Sequence, residues 1–187
     1  MKRGNRFTRH QDQRETAGIE KGRRRLFLIA AFVAGVSLLS IRSFLPEARA
    51  AGQTDALLLS CMDFRLMDDI ERYMSGRGLR DSYDHIVLAG ASLGAITDKY
   101  PAWNETFWQH LDIAIRLHNI HTVIVMDHRD CGAYHLILGA EHAKDPAVEK
   151  KTHADQLNKL RARIAEKYPE LKVETLLMSL DGKVEPI

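Results

Sequence analysis

Two cysteines are all that the 187 residues contain, so a disulfide framework is excluded and at most one bridge can form. There is no internal repeat and no low-complexity segment, which leaves an ordinary globular body. A basic surplus is also missing where it would matter. The formal charge is +2, but 11 Lys and Arg against 4 Asp and Glu fall in residues 1–50, leaving 16 against 21 in the other 137. The body is mildly acidic and gives no reason to invoke nucleic acid. No dinucleotide or phosphate fingerprint is present: the small-residue loop Ala89-Gly90-Ala91-Ser92-Leu93-Gly94-Ala95 has neither the glycine spacing nor a following Lys. A membrane-length apolar run is lacking too. The uncharged stretch Leu26 to Ile41 has 16 residues, about 24 Å as a helix against a hydrocarbon core of about 30 Å.

That stretch has the parts of an export signal. A basic region through Arg23-Arg24-Arg25 precedes it, and Ala48-Arg49-Ala50 follows, with cleavage expected after Ala50. Arg24-Arg25-Leu26-Phe27-Leu28 is similar to the twin-arginine motif, with Arg23 and Ile29 in place of the usual Ser or Thr and Lys. The expectation is a signal over residues 1–50, a single domain over 51–187 and a periplasmic address, with membrane contact only through an uncleaved signal. A twin-arginine substrate crosses already folded, so a metal can be loaded before the thiols meet an oxidising compartment.

From Ala51 onward, strand and helix patterns alternate. Ala56 to Ser60 reads as a buried strand, and Leu66, Ile70, Tyr73 and Met74 recur at helical spacing up to Arg77-Gly78. His85 to Leu88 reads as a strand, Asn104 to His118 as a helix, Thr122 to Met126 as a central strand and Gly132 to Gly139 as a short helix start. A helix from about Lys151 to Tyr168 stops at Pro169, Lys172 to Leu180 is a last strand, and Lys183 to Ile187 a short tail. The order predicts an α/β fold, a largely parallel sheet flanked by helices on both faces.

In such sheets ligands sit beyond the carboxyl ends of the strands. Cys61-Met62-Asp63-Phe64-Arg65 follows the first strand and sends a thiol, a carboxylate and a guanidinium to one side, while His128-Arg129-Asp130-Cys131 follows the third. Thiolate and imidazole together suit zinc, so Cys61, His128 and Cys131 would supply three ligands and leave a fourth position open. Asp63 can accept a hydrogen bond from zinc-bound water or itself bind the metal and shut the site; Arg65 can hold it away by a bidentate pair. A Cys61–Cys131 disulfide is the plainer alternative, but it leaves Asp63, Arg65 and His128 unexplained.

Other candidates carry less. His128-Arg129-Asp130 spells the catalytic-loop triplet of protein kinases without any accompanying kinase element, and Arg129 and Asp130 read as loop contacts. The remaining histidines, His85, His110, His118, His121, His135, His142 and His153, read as surface or helix-face residues, with His135 a candidate proton relay. Trp103, Phe107 and Trp108 read as core or subunit contacts.

The pattern Cys61-x-Asp63-x-Arg65 followed by His128-x-x-Cys131-Gly132, with 70 residues between the cysteines, resembles the β-class carbonic anhydrases. The resemblance runs over essentially the whole of residues 56–187. It implies one Zn2+ per subunit held by two Cys and one His, an Asp63–Arg65 dyad beside it, and reversible hydration of CO2 to bicarbonate by zinc-bound hydroxide with Asp63 relaying the proton. It also implies a homodimer or a larger homo-oligomer. Val87-Leu88-Ala89-Gly90 stands where the family has Arg-Asn-Ala-Gly, and the few residues between Ala51 and Ala56 leave no room for the family's N-terminal helical arm. An apolar Val87-Leu88 wall would suit carbonyl sulfide or carbon disulfide, substrates of related hydrolases; a non-catalytic zinc-binding or regulatory domain closed by Asp63 is the remaining alternative.

Overall fold

Alternating apolar runs and amphipathic stretches become five strands and five α-helices in the computed structural model, which describes residues 52–187. The expected export signal lies outside the described residues, which form one compact unit. The elements are β1 (Ala56–Ser60), α1 (Met67–Gly76), β2 (Tyr83–Val87), α2 (Ala91–Gly94), α3 (Pro101–His118), β3 (Thr122–His128), α4 (Gly132–Leu138), α5 (Pro146–Lys167), β4 (Lys172–Met178) and β5 (Val184–Pro186). Among the described residues no helix is long and apolar enough to cross a membrane.

The strands form one sheet in the order β2-β1-β3-β4-β5. The first three pairings are parallel and β5 closes the edge antiparallel to β4. The largely parallel sheet read from the sequence is therefore what the chain forms. The chain builds outward in opposite directions from β1 and β3, so the crevice favoured for ligands opens beyond their carboxyl ends. Register places Ser60 opposite Met126, which brings the residues that follow each strand side by side.

Both sheet faces are covered. Leu57, Leu59, Val123 and Val125 pack with Phe107 and Leu111 of α3, Tyr134 of α4 and Leu157, Leu160 and Ile164 of α5. Leu58, Ile124, Met126, Leu176 and Met178 pack on the other face with Leu66, just before α1, and with Ile70 and Met74 of α1. Alternation along β1 and β3 sorts these residues to the two layers, and burying each large side chain contributes about 1.5–3 kcal/mol. Phe107 lies in this core, with Trp103 and Trp108 packed partly buried against it.

Several boundaries move. α3 starts at Pro101 and α5 at Pro146, each with proline in the first turn, and Asp145 caps α5 by accepting from the Ala147 and Val148 amides. The strand expected from His85 begins at Tyr83, and part of the expected tail is β5. It is held because Glu185 joins Arg129 and Lys150, while the Ile187 amide bonds the Thr175 carbonyl.

Candidate metal centre

β1 ends in Ser60, and the next residue, Cys61, turns its sulfur toward a loop that begins with Gly90. The Gly90 amide donates to Cys61 Sγ at 3.3 Å. Gly90 has φ +73, and a Cβ there would sit 3.1 Å from Ala133 Cβ, so both its conformation and its closeness to α4 require glycine. Asp63 accepts from the Arg65 amide at 3.0 Å and so starts the single 3-10 turn Phe64–Leu66. That turn brings the Arg65 side chain back over Asp63.

β3 delivers His128, only 3% exposed, and the loop after it delivers Cys131, 1% exposed, at the start of α4. Cys61 Sγ and Cys131 Sγ are 3.8 Å apart. Together with a His128 ring nitrogen, the ligand atoms lie within 4.8 Å of one another, and this is the metal-capable group found among the described residues. His128 Nδ1 donates to the Arg129 carbonyl at 2.8 Å, while Nε2 is buried without a hydrogen-bond partner. The backbone bond fixes the tautomer that leaves an Nε2 lone pair free, as for a metal-binding imidazole. Two sulfurs and one such nitrogen, buried and convergent, fit zinc.

The electrostatics set the two thiols apart. A hydrogen bond from the Cys131 thiol holds Cys61 well below the ordinary thiol range against the opposing effect of burial. The same bond and burial push Cys131 up. Burial disfavours charge on His128, but the nearness of the Cys61 sulfur and its negative charge outweigh this and raise it.

Asp63 stands at the rim, its Oδ2 3.8 Å from His128 Nε2. Arg65 grips it bidentately, Nε to Oδ1 at 2.9 Å and Nη2 to Oδ2 at 2.7 Å. That guanidinium is the main reason the Asp63 pKa falls to about 2. Behind the rim, Cys61, Asp63 and His128 share a cavity of about 10 Å³ with Leu66, Ile70, Met126 and Met178, room for about one water.

All four metal candidates and Arg65 thus come together. His135 does not join them: it is exposed on α4 and stacks edge-to-face on His142 at 4.4 Å. His85, His110 and His118 line a separate pocket beside β2. Leu88 packs against the core and Val87 is half exposed.

Sequence reasoning missed two groups. Asp130, read as a loop contact, receives Arg65 Nη1 at 2.8 Å. Asp127 was passed over entirely; it is 1% exposed and accepts from the Ser92 amide and hydroxyl, the Tyr134 hydroxyl and His153 Nδ1 at 2.5–3.0 Å. His153, expected on a helix surface, is fully buried, and His142 is 6% exposed. The available signal was an aspartate at the end of an otherwise buried strand, which must find donors. Asp127→Ala is expected to lower unfolding free energy by about 3–5 kcal/mol, because it strands these donors in the core. Urea denaturation of the full chain measures this, and a loss under about 1 kcal/mol would contradict the network's role.

The chain has recognisable relatives among known proteins. Residues 51–187 match the family model described as "Putative carbonic anhydrase". The chain belongs to this carbonic anhydrase family. Its relatives include an uncharacterized protein of Rickettsia conorii, 45% identical over 139 residues, 74% of this chain and 75% of that one. Another from Rickettsia bellii is 42% identical over 139 residues, 74% and 85% of the two chains. Among solved structures, the carbonic anhydrase of Streptococcus mutans aligns over 85% of this chain and 96% of its own, at 16% identity and a TM-score of 0.49. The β-carbonic anhydrase isoform I of Trichomonas vaginalis aligns over 86% and 96%, at 22% identity and 0.45. Within the family, this chain's cluster is made by the ends of β1 and β3.

Proposed function

We propose that the chain is a zinc enzyme that reversibly hydrates CO2 to bicarbonate and a proton. The observation that carries this reading is the buried convergence of Cys61, His128 and Cys131 beside an Asp63 that Arg65 holds bidentately. Cys61, His128 and Cys131 would hold one zinc per subunit. Bound there, zinc supplies a Lewis acid that acidifies water, less strongly beside two thiolates than beside three imidazoles.

The chain's own residues supply the rest. With a pKa of about 2, Asp63 stays ionised at neutral pH, so it would accept the hydrogen bond of the attacking water and relay its proton to bulk water without storing it. Arg65 fixes the direction of that acceptor. The bidentate grip also argues against a regulatory domain closed by Asp63, since it holds the carboxylate on the guanidinium.

A second reading is hydrolysis of carbonyl sulfide or carbon disulfide on the same residues, for which Leu66, Ile70, Met126 and Met178 supply the apolar side of a cavity otherwise lined by Cys61, Asp63, Asp127 and His128. Measuring zinc content, CO2 hydration from pH 7 to 9 and hydrolysis of both sulfur analogues on the full chain separates the readings. Zinc near one per subunit with CO2 turnover supports the first; turnover of a sulfur analogue alone supports the second. Absent metal with no free thiols after denaturation would defeat both.

The accompanying expectations are a homodimer or larger assembly, read by sedimentation, and a periplasmic address through residues 1–50, read by fractionation.

A further inference from the structure

We propose that Asp130 and Glu149 form an outer clamp that keeps Arg65 on Asp63, making them positioning residues of the metal centre. The inference rests on the reading that Cys61, His128 and Cys131 hold the metal.

Arg65 lies between two acidic residues. Its inner side takes Asp63; its outer side gives Nη1 to Asp130 Oδ2 at 2.8 Å and Nη2 to the Asp130 carbonyl at 3.0 Å. One residue offers both its side chain and its backbone to the same guanidinium because Asp130 adopts φ +56. That left-handed conformation is unfavourable for a residue with a Cβ and persists only where surroundings impose it.

Glu149 imposes it. This side chain of α5 is 11% exposed; Oε1 accepts the Asp130 amide at 2.6 Å and Oε2 accepts Arg129 Nη1 at 3.2 Å. Both oxygens are occupied, as a sheltered carboxylate requires. Arg129 is tied in turn to Glu185 of β5 at 2.9 Å. The β3–α4 loop is therefore braced from α5 and β5, and the brace ends on the guanidinium that restrains Asp63.

The consequence is an equilibrium. Asp63 Oδ2 is already 3.8 Å from His128 Nε2, so a carboxylate released by Arg65 can turn to the metal and compete with an exchangeable ligand. Asp130 is 59% exposed, and an exposed ion pair is weak. Removing the clamp thus shifts a population; it does not abolish the site.

Cobalt-loaded full chain, titrated with azide and followed by visible absorption, tests this. Asp130→Ala and Glu149→Gln should each weaken azide binding about fivefold, because a freed Asp63 competes for the metal. In an Asp63→Asn background the same two substitutions should leave azide affinity within about twofold of Asp63→Asn alone, since the competitor is gone. Azide binding of Asp130→Ala equal to wild type would overturn the clamp, and that exposed position keeps the test open even if Glu149→Gln does not fold. Persistence of the fivefold loss in the Asp63→Asn background would overturn it as well, because the effect would not pass through Asp63. Wild-type chain that takes up no cobalt and shows no thiolate charge-transfer band would instead remove the metal-site reading, and the clamp with it.

Discussion

Alanine at position 63 is expected to leave zinc bound and cut CO2 hydration by about 10²–10⁴-fold, the usual share of a positioned proton acceptor. The metal should stay because the three convergent donors, Cys61, His128 and Cys131, do not depend on Asp63. The rate should fall because among the described residues no other carboxylate at the rim faces His128 Nε2; Asp130 lies on the far side of Arg65. Zinc analysis and stopped-flow hydration on the same preparation check both halves, and a variant with unchanged turnover would place the acceptor elsewhere. The pH dependence has a definite sign. The folded Asp63 pKa, about 2, lies below the ordinary 3.8, so its stabilising contribution is complete above about pH 4 and lost as pH falls toward 2. Any change of rate between pH 6 and 9 consequently belongs to another group.

Replacing a donor should do more. Cys131→Ser and His128→Ala are each expected to weaken zinc binding by more than about 100-fold, beyond the 10–100-fold typical of losing an outer hydrogen-bond partner. Activity should vanish with the metal. Among the described residues His128 Nε2 has no hydrogen-bond partner and Cys131 is almost wholly buried, and no further thiol or imidazole joins the cluster to take either place. Competition with a chromophoric chelator measures the loss directly. Holoprotein should also melt at a higher temperature than chelator-treated protein, since a ligand that binds only the folded state stabilises it; equal melting temperatures would argue against a metal in this cluster.

Much of this was legible in the chain. Leu57 to Ser60 and Val123 to Met126 are apolar enough to announce buried strands, and a cysteine or histidine at the end of each announces a site. What stayed hidden depends on contacts across long separations. Arg65 and Asp130 are 65 residues apart, and no local pattern marks a guanidinium with two carboxylates. His153 has the spacing of any helix-face residue; only the arrival of Asp127 from β3 makes it a core residue. β2 begins earlier than its apolar run because Tyr83 and Asp84 belong to an edge strand, where one flank meets solvent and alternation is weak. The proline starts of α3 and α5 were readable in principle, with Asp145 before Pro146 a cap in plain sight.

The Gly90 amide that points at Cys61 bears on the chemistry in another way. An N–H···S bond draws electron density from the thiolate toward the backbone, and a thiolate so drained neutralises less of a cation's charge. The donor belongs to the main chain, so every residue but proline would carry it. Glycine at 90 keeps it in place, since φ +73 and the nearness of Ala133 leave little room for a side chain. Two sulfur donors make for an electron-rich centre, and this amide is a fixed counterweight built into the fold.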